Sequence, residues 1–351
     1  MINGLNKRTN GRDFKMEKYM NAATINRYGQ KQLELTKVEI PEVSSDDVLV
    51  EIHAASINPI DFKIRDGKLK MLLTYKMPLI LGNDFSGVVV QVGKCVTDFK
   101  VGDEVYGRPR KSRIGTFAEY IAVHKDDIAM KPKNLSFEEA AAVPLVGLTT
   151  YQAFHDVMQL KLNNKILIQA GSGGVGTFAI QLAKHMGAYV ATTTSAKNEA
   201  LVKELGADLV IDYRTEEFDE KLTNYDYVYD TLGGESLKKS FKILKPGGKI
   251  VSLSGIPNHR FAQEYGLNFW KSSLLKLATR KLTALEKQYK VQYNFLFMKP
   301  SGAQLATIRE LIEAQKIKPI IDRVILFEDI QQAFDYSESG RAKGKVIVKI
   351  K

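Results

Sequence analysis

Gly171, Gly173 and Gly176 have the most chemistry written into their spacing, inside Lys165 to Leu182, which reads KILIQAGSGGVGTFAIQL. They fit G-x-G-x-x-G between an apolar run and an apolar-periodic segment, which predicts a strand, a turn and a helix in succession. In that pattern the first glycine lets the chain turn tightly, the second lets backbone approach a pyrophosphate, and the third lets helix pack on strand. The turn Gly171-Ser172-Gly173-Gly174-Val175-Gly176 then presents a helix N-terminus to an anion. A glycine cluster alone also makes ordinary loops, so the weight falls on the elements around it.

Those elements alternate. Strands over Tyr189–Thr194, Leu209–Ile211, Tyr225–Asp230 and Lys249–Ser254 are interleaved with helices over Asn198–Leu205 and Glu235–Leu244. Such alternation predicts a parallel sheet with helices on both faces. The breaks fall at Gly206, Gly233-Gly234 and Pro246-Gly247-Gly248, residues suited to helix ends and turns. The end of the second strand separates the two nicotinamide dinucleotides. A site for NAD usually sets an Asp or Glu there, about 20 residues past the glycines, to bond the ribose 2′-hydroxyl. Here that strand ends Ala191-Thr192-Thr193-Thr194-Ser195 without an acid. Ser195, Lys197 and Asn198 supply a hydroxyl, an ammonium and an amide suited to a 2′-phosphate, so NADP(H) is the expected cofactor. Tyr213, just after the third strand, is either a partner for the adenosine end or a rim tyrosine.

With 351 residues and 44% hydrophobic content, the chain can build two domains with their own cores. No internal repeat or low-complexity tract interrupts it, and no apolar run approaches the roughly 20 residues of a membrane-spanning helix. The single cysteine, Cys95, excludes an intramolecular disulfide and a four-cysteine zinc lobe, and suits a cytoplasmic location. His53, His124, His155, His185 and His259 show no metal-ligand spacing. The net charge of +11 is spread over scattered lysines without a nucleic-acid signature, so nucleic acid is not an expected partner. Residues 1–17 read as a basic tail lacking the apolar core of a secretory signal.

Ahead of the glycine turn, Val48–Ala55, Asp84–Gly93, Val101–Tyr106 and Thr116–Val123 are short valine- and isoleucine-rich segments, the pattern of a compact β domain. Glu138–Ala142 with Pro144 starts a helical stretch through Phe154 into the nucleotide domain. After helices over Ser301–Gln315 and Ile330–Ser337, the terminal strand Lys345–Ile350 is expected to rejoin the first β domain. Between Gly255 and Phe295, Trp270, Leu274, Leu277, Leu282, Leu285 and Tyr289 recur at helical spacing with Lys276, Arg280, Lys281 and Lys287 among them. This predicts one amphipathic helix, read as a lid or packing helix, with a dimer element or a membrane-surface contact as the alternatives.

Further motifs carry a family resemblance: Asn58-Pro59-Ile60-Asp61, Leu81-Gly82-Asn83-Asp84-Phe85-Ser86-Gly87, Val101-Gly102-Asp103-Glu104-Val105-Tyr106-Gly107, Gly147-Leu148-Thr149-Thr150-Tyr151 and Gly340-Arg341-Ala342-Lys343-Gly344-Lys345-Val346. With the glycine turn, they resemble the zinc-independent, quinone-oxidoreductase-like branch of the medium-chain dehydrogenase/reductases, which also holds enone and 2-alkenal reductases. The resemblance implies an α/β fold in which a Rossmann doubly wound parallel sheet, 146–296, is inserted into a GroES-like β domain, 18–145 and 297–351. It implies an active site in the cleft between them, a small-molecule quinone or enone substrate, and a homodimer. Zinc-dependent members carry a Gly-His-Glu motif and a ligand cysteine where this chain has Gly82-Asn83-Asp84 and Asn58-Pro59, so no zinc is expected. By the same resemblance Asn58 lies beside the nicotinamide ribose, where it fixes the ribose or polarises the acceptor oxygen; Lys63 either donates to the developing enolate, directly or through the ribose hydroxyl, or faces solvent. Asp61 either pairs with Lys63 or faces solvent, and Thr149 lies near the nicotinamide ring. Gly255, Phe297, Gly344 and Lys345 fall where backbone meets the nicotinamide or pyrophosphate. The implied reaction is hydride transfer from NADPH to a quinone or an α,β-unsaturated carbonyl. The alternatives are an enoyl-thioester reductase, or an NADPH-binding redox sensor or RNA-binding protein with little turnover.

Overall fold

A computed structural model describes residues 18–351, so the basic tail read over 1–17 lies outside the described residues. Strands β1 (Tyr19–Ile25), β2 (Glu34–Glu39) and β3 (Asp47–Ile57) lead to the short helix α1 (Pro59–Arg65). Then β4 (Leu79–Ile80), β5 (Phe85–Val92), β6 (Glu104–Gly107), β7 (Tyr120–His124) and β8 (Ile128–Met130) complete the first β domain. Helices α2 (Phe137–Ala141) and α3 (Pro144–Tyr151) carry the chain across. A π-helical turn, Gln152–Met158, extends α3 and stops at Gln159, whose φ is +56°.

The nucleotide domain follows as β9 (Lys165–Ile168), α4 (Gly174–His185), β10 (Tyr189–Thr194), α5 (Glu199–Glu204), β11 (Leu209–Asp212), α6 (Phe218–Lys221), β12 (Tyr225–Asp230), α7 (Gly234–Ser240) and β13 (Leu244–Ser252). Helices α8 (His259–Glu264), α9 (Phe269–Ala278) and α10 (Arg280–Tyr289) precede β14 (Gln292–Phe295). The chain closes with α11 (Gly302–Glu313), β15 (Ile321–Leu326), α12 (Ile330–Glu338) and β16 (Lys345–Lys349).

The six strands of the nucleotide domain pair in parallel in the order β11-β10-β9-β12-β13-β14. Its central strand is apolar on both faces, with Ile166, Leu167 and Ile168 all inaccessible, as a parallel strand covered by helices requires. The second large sheet runs β15-β16-β3-β5-β6-β8, with β7 pairing β3. There β16 lies parallel to β15 and antiparallel to β3, so the chain's last strand rejoins the first domain and buries Val346, Ile347 and Val348.

Four local expectations differ. The strand expected from Thr116 starts at Tyr120, because Phe117 instead exchanges backbone bonds with Leu81 and Ala23. The strand expected from Val101 starts at Glu104. The helix expected to Leu244 stops at Ser240, and Leu244 already pairs with Tyr225, so Pro246-Gly247-Gly248 forms an irregularity inside β13. The single amphipathic helix is two, α9 and α10, broken at Thr279, whose hydroxyl donates back to the Leu275 carbonyl at 2.7 Å. Such back-bonding competes with the helical ladder and favours a bend.

Candidate active site

The glycine turn joins β9 to α4, with the parts that its spacing predicts redistributed. The residue with positive φ is Ala170, at +51°, while Gly171 is needed for close approach: a Cβ there would lie 2.1 Å from Thr192 Oγ1. Gly176 permits helix-on-strand contact, since its Cβ would meet the Ala170 carbonyl at 2.3 Å. Gly173 caps α4, Gly174 and Val175 begin it, and all three are partly open to solvent. Ser172 Oγ accepts from Thr194 Oγ1 at 2.9 Å and from Asn198 Nδ2 at 3.0 Å, which leaves its own proton to donate. Asn198 is therefore turned inward to the turn rather than outward to a 2′-phosphate, and its Oδ1 is buried without a partner among the described residues. Ser195 is buried at the end of β10, whereas Lys197 is exposed and makes no hydrogen bond or ion pair among the described residues. Tyr213 is 60% exposed, with the Arg214 guanidinium 5.9 Å from its ring. The Asp212 carboxylate accepts from the N–H groups of Ala196 and Arg214, which fixes the loops carrying Lys197 and Tyr213 side by side.

The two domains meet at this turn. Gly344, with φ +87°, donates its N–H to the Ser172 carbonyl at 3.0 Å and forms a parallel bridge to Gly173. A Cβ on Gly344 would lie 2.2 Å from the Ile320 carbonyl, and one on Gly174 2.7 Å from Lys345 Cδ. The stem of Lys345 therefore lies against the start of α4. An open glycine cradle and an orphaned amide oxygen beside it fit the pyrophosphate and adjoining ribose of a dinucleotide.

Behind the cradle lies a buried polar network. The Lys345 ammonium donates to the Ile57 carbonyl and to Asn58 Oδ1, and stands 4.0 Å from Asp84. Asp84 accepts from Ser56 Oγ at 2.6 Å, Asn58 Nδ2 at 2.9 Å and the Leu145 N–H at 3.3 Å. Asp61 caps α1 by accepting from the Asn58 N–H at 2.8 Å, and accepts from Asn83 Nδ2 at 2.6 Å. Asn83 in turn accepts from Arg108 Nη2 at 3.1 Å. Burial raises both carboxyls, Asp61 to about 7, and lowers the Lys345 ammonium.

Asp61 thus neither pairs with Lys63 nor faces solvent: it is wholly buried and its oxygens are committed to Asn58 and Asn83. Lys63 lies on α1, half-buried and without a polar partner among the described residues, and burial lowers its pKa. The Asn58 amide is spent on Lys345, Asp84 and the Ser56 carbonyl. Thr149 donates its hydroxyl to the Leu145 carbonyl at 2.6 Å, a bond inside its own helix. Gly255 is held by its N–H on Ser252 Oγ, and a Cβ there would strike the Tyr293 hydroxyl.

Phe297 has a partner that spacing does not reveal. Lys111 Nζ sits 3.4 Å from the centre of its ring, 5.1 Å from that of Tyr265, and donates to the Phe297 carbonyl at 3.3 Å. Lys111 belongs to the first domain and Tyr265 lies between β13 and β14 of the nucleotide sheet, so the ammonium reaches from one domain to the other. It is held down to about 7 by burial, then by the charges of Arg108 and Lys299. Ser56, Asn83, Asp84, Arg108 and Lys111 are the site residues that spacing misses. The one available signal is the pair Asn83-Asp84 directly before an apolar strand. Two open surface depressions elsewhere, one bordered by Lys184 and Lys316 and one by Lys287 and Lys290, contain none of these residues.

Comparison with known proteins identifies the family and fold. Residues 44–133 match the alcohol dehydrogenase GroES-like domain family, and residues 205–348 match the family described as zinc-binding dehydrogenase. A Danio rerio protein named NAD(P)H oxidoreductase RTN4IP1, mitochondrial, is 35% identical over 356 residues, covering 94% of this chain and 91% of its own. The chain belongs to the medium-chain dehydrogenase/reductase family. Another family member, the 2-methylene-furan-3-one reductase of Solanum lycopersicum, is 37% identical over 327 residues, covering 89% of this chain and 74% of its own. The solved quinone oxidoreductase of Coxiella burnetii superposes with a TM-score of 0.82 at 33% identity, covering 95% of this chain and 100% of that one. This medium-chain dehydrogenase/reductase is therefore an oxidoreductase that uses a nicotinamide cofactor, with a GroES-like domain around a Rossmann-type sheet.

Proposed function

We propose that the protein is an NADPH-dependent, zinc-independent reductase of quinones or α,β-unsaturated carbonyls. The observation that carries this reading is the junction at Gly344 and Lys345, which sets a dinucleotide cradle against a buried cation rather than against a metal-ligand set. The donors there are Asn58, Asp61, Asn83 and Asp84, with no histidine or cysteine among them. Both carboxylates already accept from protein donors, and the Lys345 ammonium supplies the positive charge beside Asp84. These residues do not fit zinc, despite the name of the matching family. An acceptor that is already electron-poor suits such a site.

Bound NADPH would supply a hydride from C4 of its nicotinamide. The chain's own residues then position and stabilise. The turn N–H groups and the free Ser172 proton receive the pyrophosphate, and Lys197 with Tyr213 and Arg214 receives the adenosine 2′-phosphate. Lys345 has three donors and uses two on Ile57 and Asn58, which leaves one for the nicotinamide ribose. Lys63, unpaired and partly desolvated, donates to the substrate oxygen as it gains charge. Lys63→Ala is expected to lower kcat more than it weakens NADPH; an unchanged kcat removes Lys63 from the reaction.

The testing assay follows NADPH and NADH oxidation with a quinone, a short 2-alkenal, a cyclic enone and a saturated aldehyde, with product analysis. Saturation of the alkene with the carbonyl kept establishes an enone reductase, and turnover of the quinone alone a quinone reductase. NADPH binding without turnover on any of the four defeats the proposal. A homodimer through β14, which ends the parallel sheet, belongs to the same reading and is measured by sedimentation. So does a cytoplasmic location, supported by the lone free Cys95; the Danio rerio relative is named mitochondrial, and cell fractionation separates the two.

A further inference from the structure

The broken helix pair α9–α10 leaves an apolar face with nothing on it among the described residues. On α9, Phe269 is 76% exposed, Trp270 79%, Leu274 56% and Leu277 69%. Trp270, Leu274 and Leu277 share one side of the helix at spacings of four and three. Of the large apolar side chains in α9 only Leu275 is buried. Isolated exposed apolar residues are ordinary, but a contiguous set with a tryptophan and a phenylalanine marks an interaction surface.

The charge around that face selects its occupant. From Gly266 to Gln292 the chain carries Lys271, Lys276, Arg280, Lys281, Lys287 and Lys290 against one carboxylate, Glu286, which is already paired with Arg260. A second copy docking face to face would bring two such clusters together. An anionic lipid surface complements them: the apolar side enters the headgroup–acyl boundary and each nearby lysine or arginine is attracted to the negative leaflet. Tryptophan and phenylalanine are also residue types found at that boundary.

We propose that α9 and the start of α10 dock this protein peripherally on anionic membranes. The helix bearing this face is tied to the first domain and to the aromatic group around Phe297. Lys271 Nζ donates to the Met71 carbonyl at 2.9 Å, and α8, packed against α9, carries Phe261 and Tyr265 into the aromatic group around Phe297. If the proposed function holds, a lipid-soluble quinone or enone reaches the cleft from the bilayer side; the docking itself does not depend on that reaction.

Trp270 is the only tryptophan in the chain, so its fluorescence reports on this face alone. Purified protein is mixed with phosphatidylcholine vesicles with and without 30% phosphatidylserine, and Trp270 emission and co-flotation are read. The expected result is a blue shift and co-flotation with the serine-containing vesicles only, with at least ten-fold weaker binding at high salt. Leu274→Ser/Leu277→Ser and, separately, Lys276→Glu/Lys281→Glu alter exposed positions and should each abolish co-flotation while circular dichroism stays unchanged. Absence of a shift with anionic vesicles overturns the proposal, as does wild-type co-flotation of the double variants. A shift that depends on protein concentration alone assigns the face to a second copy, and one produced by NADPH alone makes it a closing lid. Both overturn membrane docking. All these readouts stand whether or not the enzyme assay finds a substrate.

Discussion

At the scale of single residues, the proposal gives Lys197 the 2′-phosphate, and no other group among the described residues bonds its ammonium. The ammonium stands just past the end of β10, where an acid would select the unphosphorylated cofactor, and the shared Asp212 carboxylate holds its loop beside Tyr213. A charge-assisted hydrogen bond contributes about 1.5–3 kcal/mol, so Lys197→Ala should raise the NADPH dissociation constant roughly ten- to a hundred-fold and leave NADH nearly unchanged. Equal weakening of both, by fluorescence titration, removes the 2′-phosphate assignment. Lys111 makes a pH-dependent case. In the unfolded chain it keeps its proton up to about its ordinary value of 10.5, whereas in the folded protein it releases it near 7. Between those values the unfolded state binds more protons, so stability rises with pH across that window and is flat with respect to this group below about 7. Relative to Lys111→Met, the wild type should gain stability between pH 7 and pH 10 in urea unfolding; a difference that does not change with pH contradicts the assignment. The glycine turn and the missing acid after β10 were legible from spacing because both lie within one local unit. Arg108 and Lys111 were not, because their meaning comes from burial and from partners on other elements.

At the scale of elements, prediction did best where one pattern ran without competition. β10 and β12 fall on their expected bounds, where short runs rich in β-branched and aromatic residues leave little choice. It failed where a local bond or an irregular pairing intervened, as at Thr279, which cuts one expected helix into two, and at Leu244, which a neighbouring strand captures from a helix end. The residue joining elements most directly is Gly344. Its left-handed backbone costs a side chain roughly 1–2 kcal/mol, and the Cβ would in addition collide with the Ile320 carbonyl. Gly344→Ala should therefore destabilise the protein by roughly 2 kcal/mol or more and, by displacing the bridge to Gly173, raise the NADPH dissociation constant several-fold. Denaturant unfolding and cofactor titration read the two effects separately. Lost stability with unchanged NADPH binding would mean that the bridge does not shape the cradle.

Across the whole molecule, the site exists only because the last strand returns to the first domain. The apolar run at Lys345–Ile350 was enough to predict that return, but not what it delivers: an ammonium bonded to Asn58, 287 residues away in sequence, beside the Asp84 carboxyl, on which the buried Arg108 guanidinium also acts electrostatically. Buried charges of this kind act as a set. Removing one partner leaves the other charge uncompensated and costs about 3–5 kcal/mol, whereas removing both leaves no unpaired charge between them. Lys345→Met and Asp84→Asn should each lower stability by about that amount, and the double variant by at least about 1 kcal/mol less than their sum. Asp61 remains near Lys345 in the Asp84→Asn protein and acts on it electrostatically, so that single loss should be the smaller of the two. Strict additivity in urea unfolding would mean that Lys345 and Asp84 hold their places independently. The chain ends would then be joined by the β16 ladder and by contacts such as that of Arg65 with Glu338, and the buried cation would be free to serve the cofactor without bracing the fold.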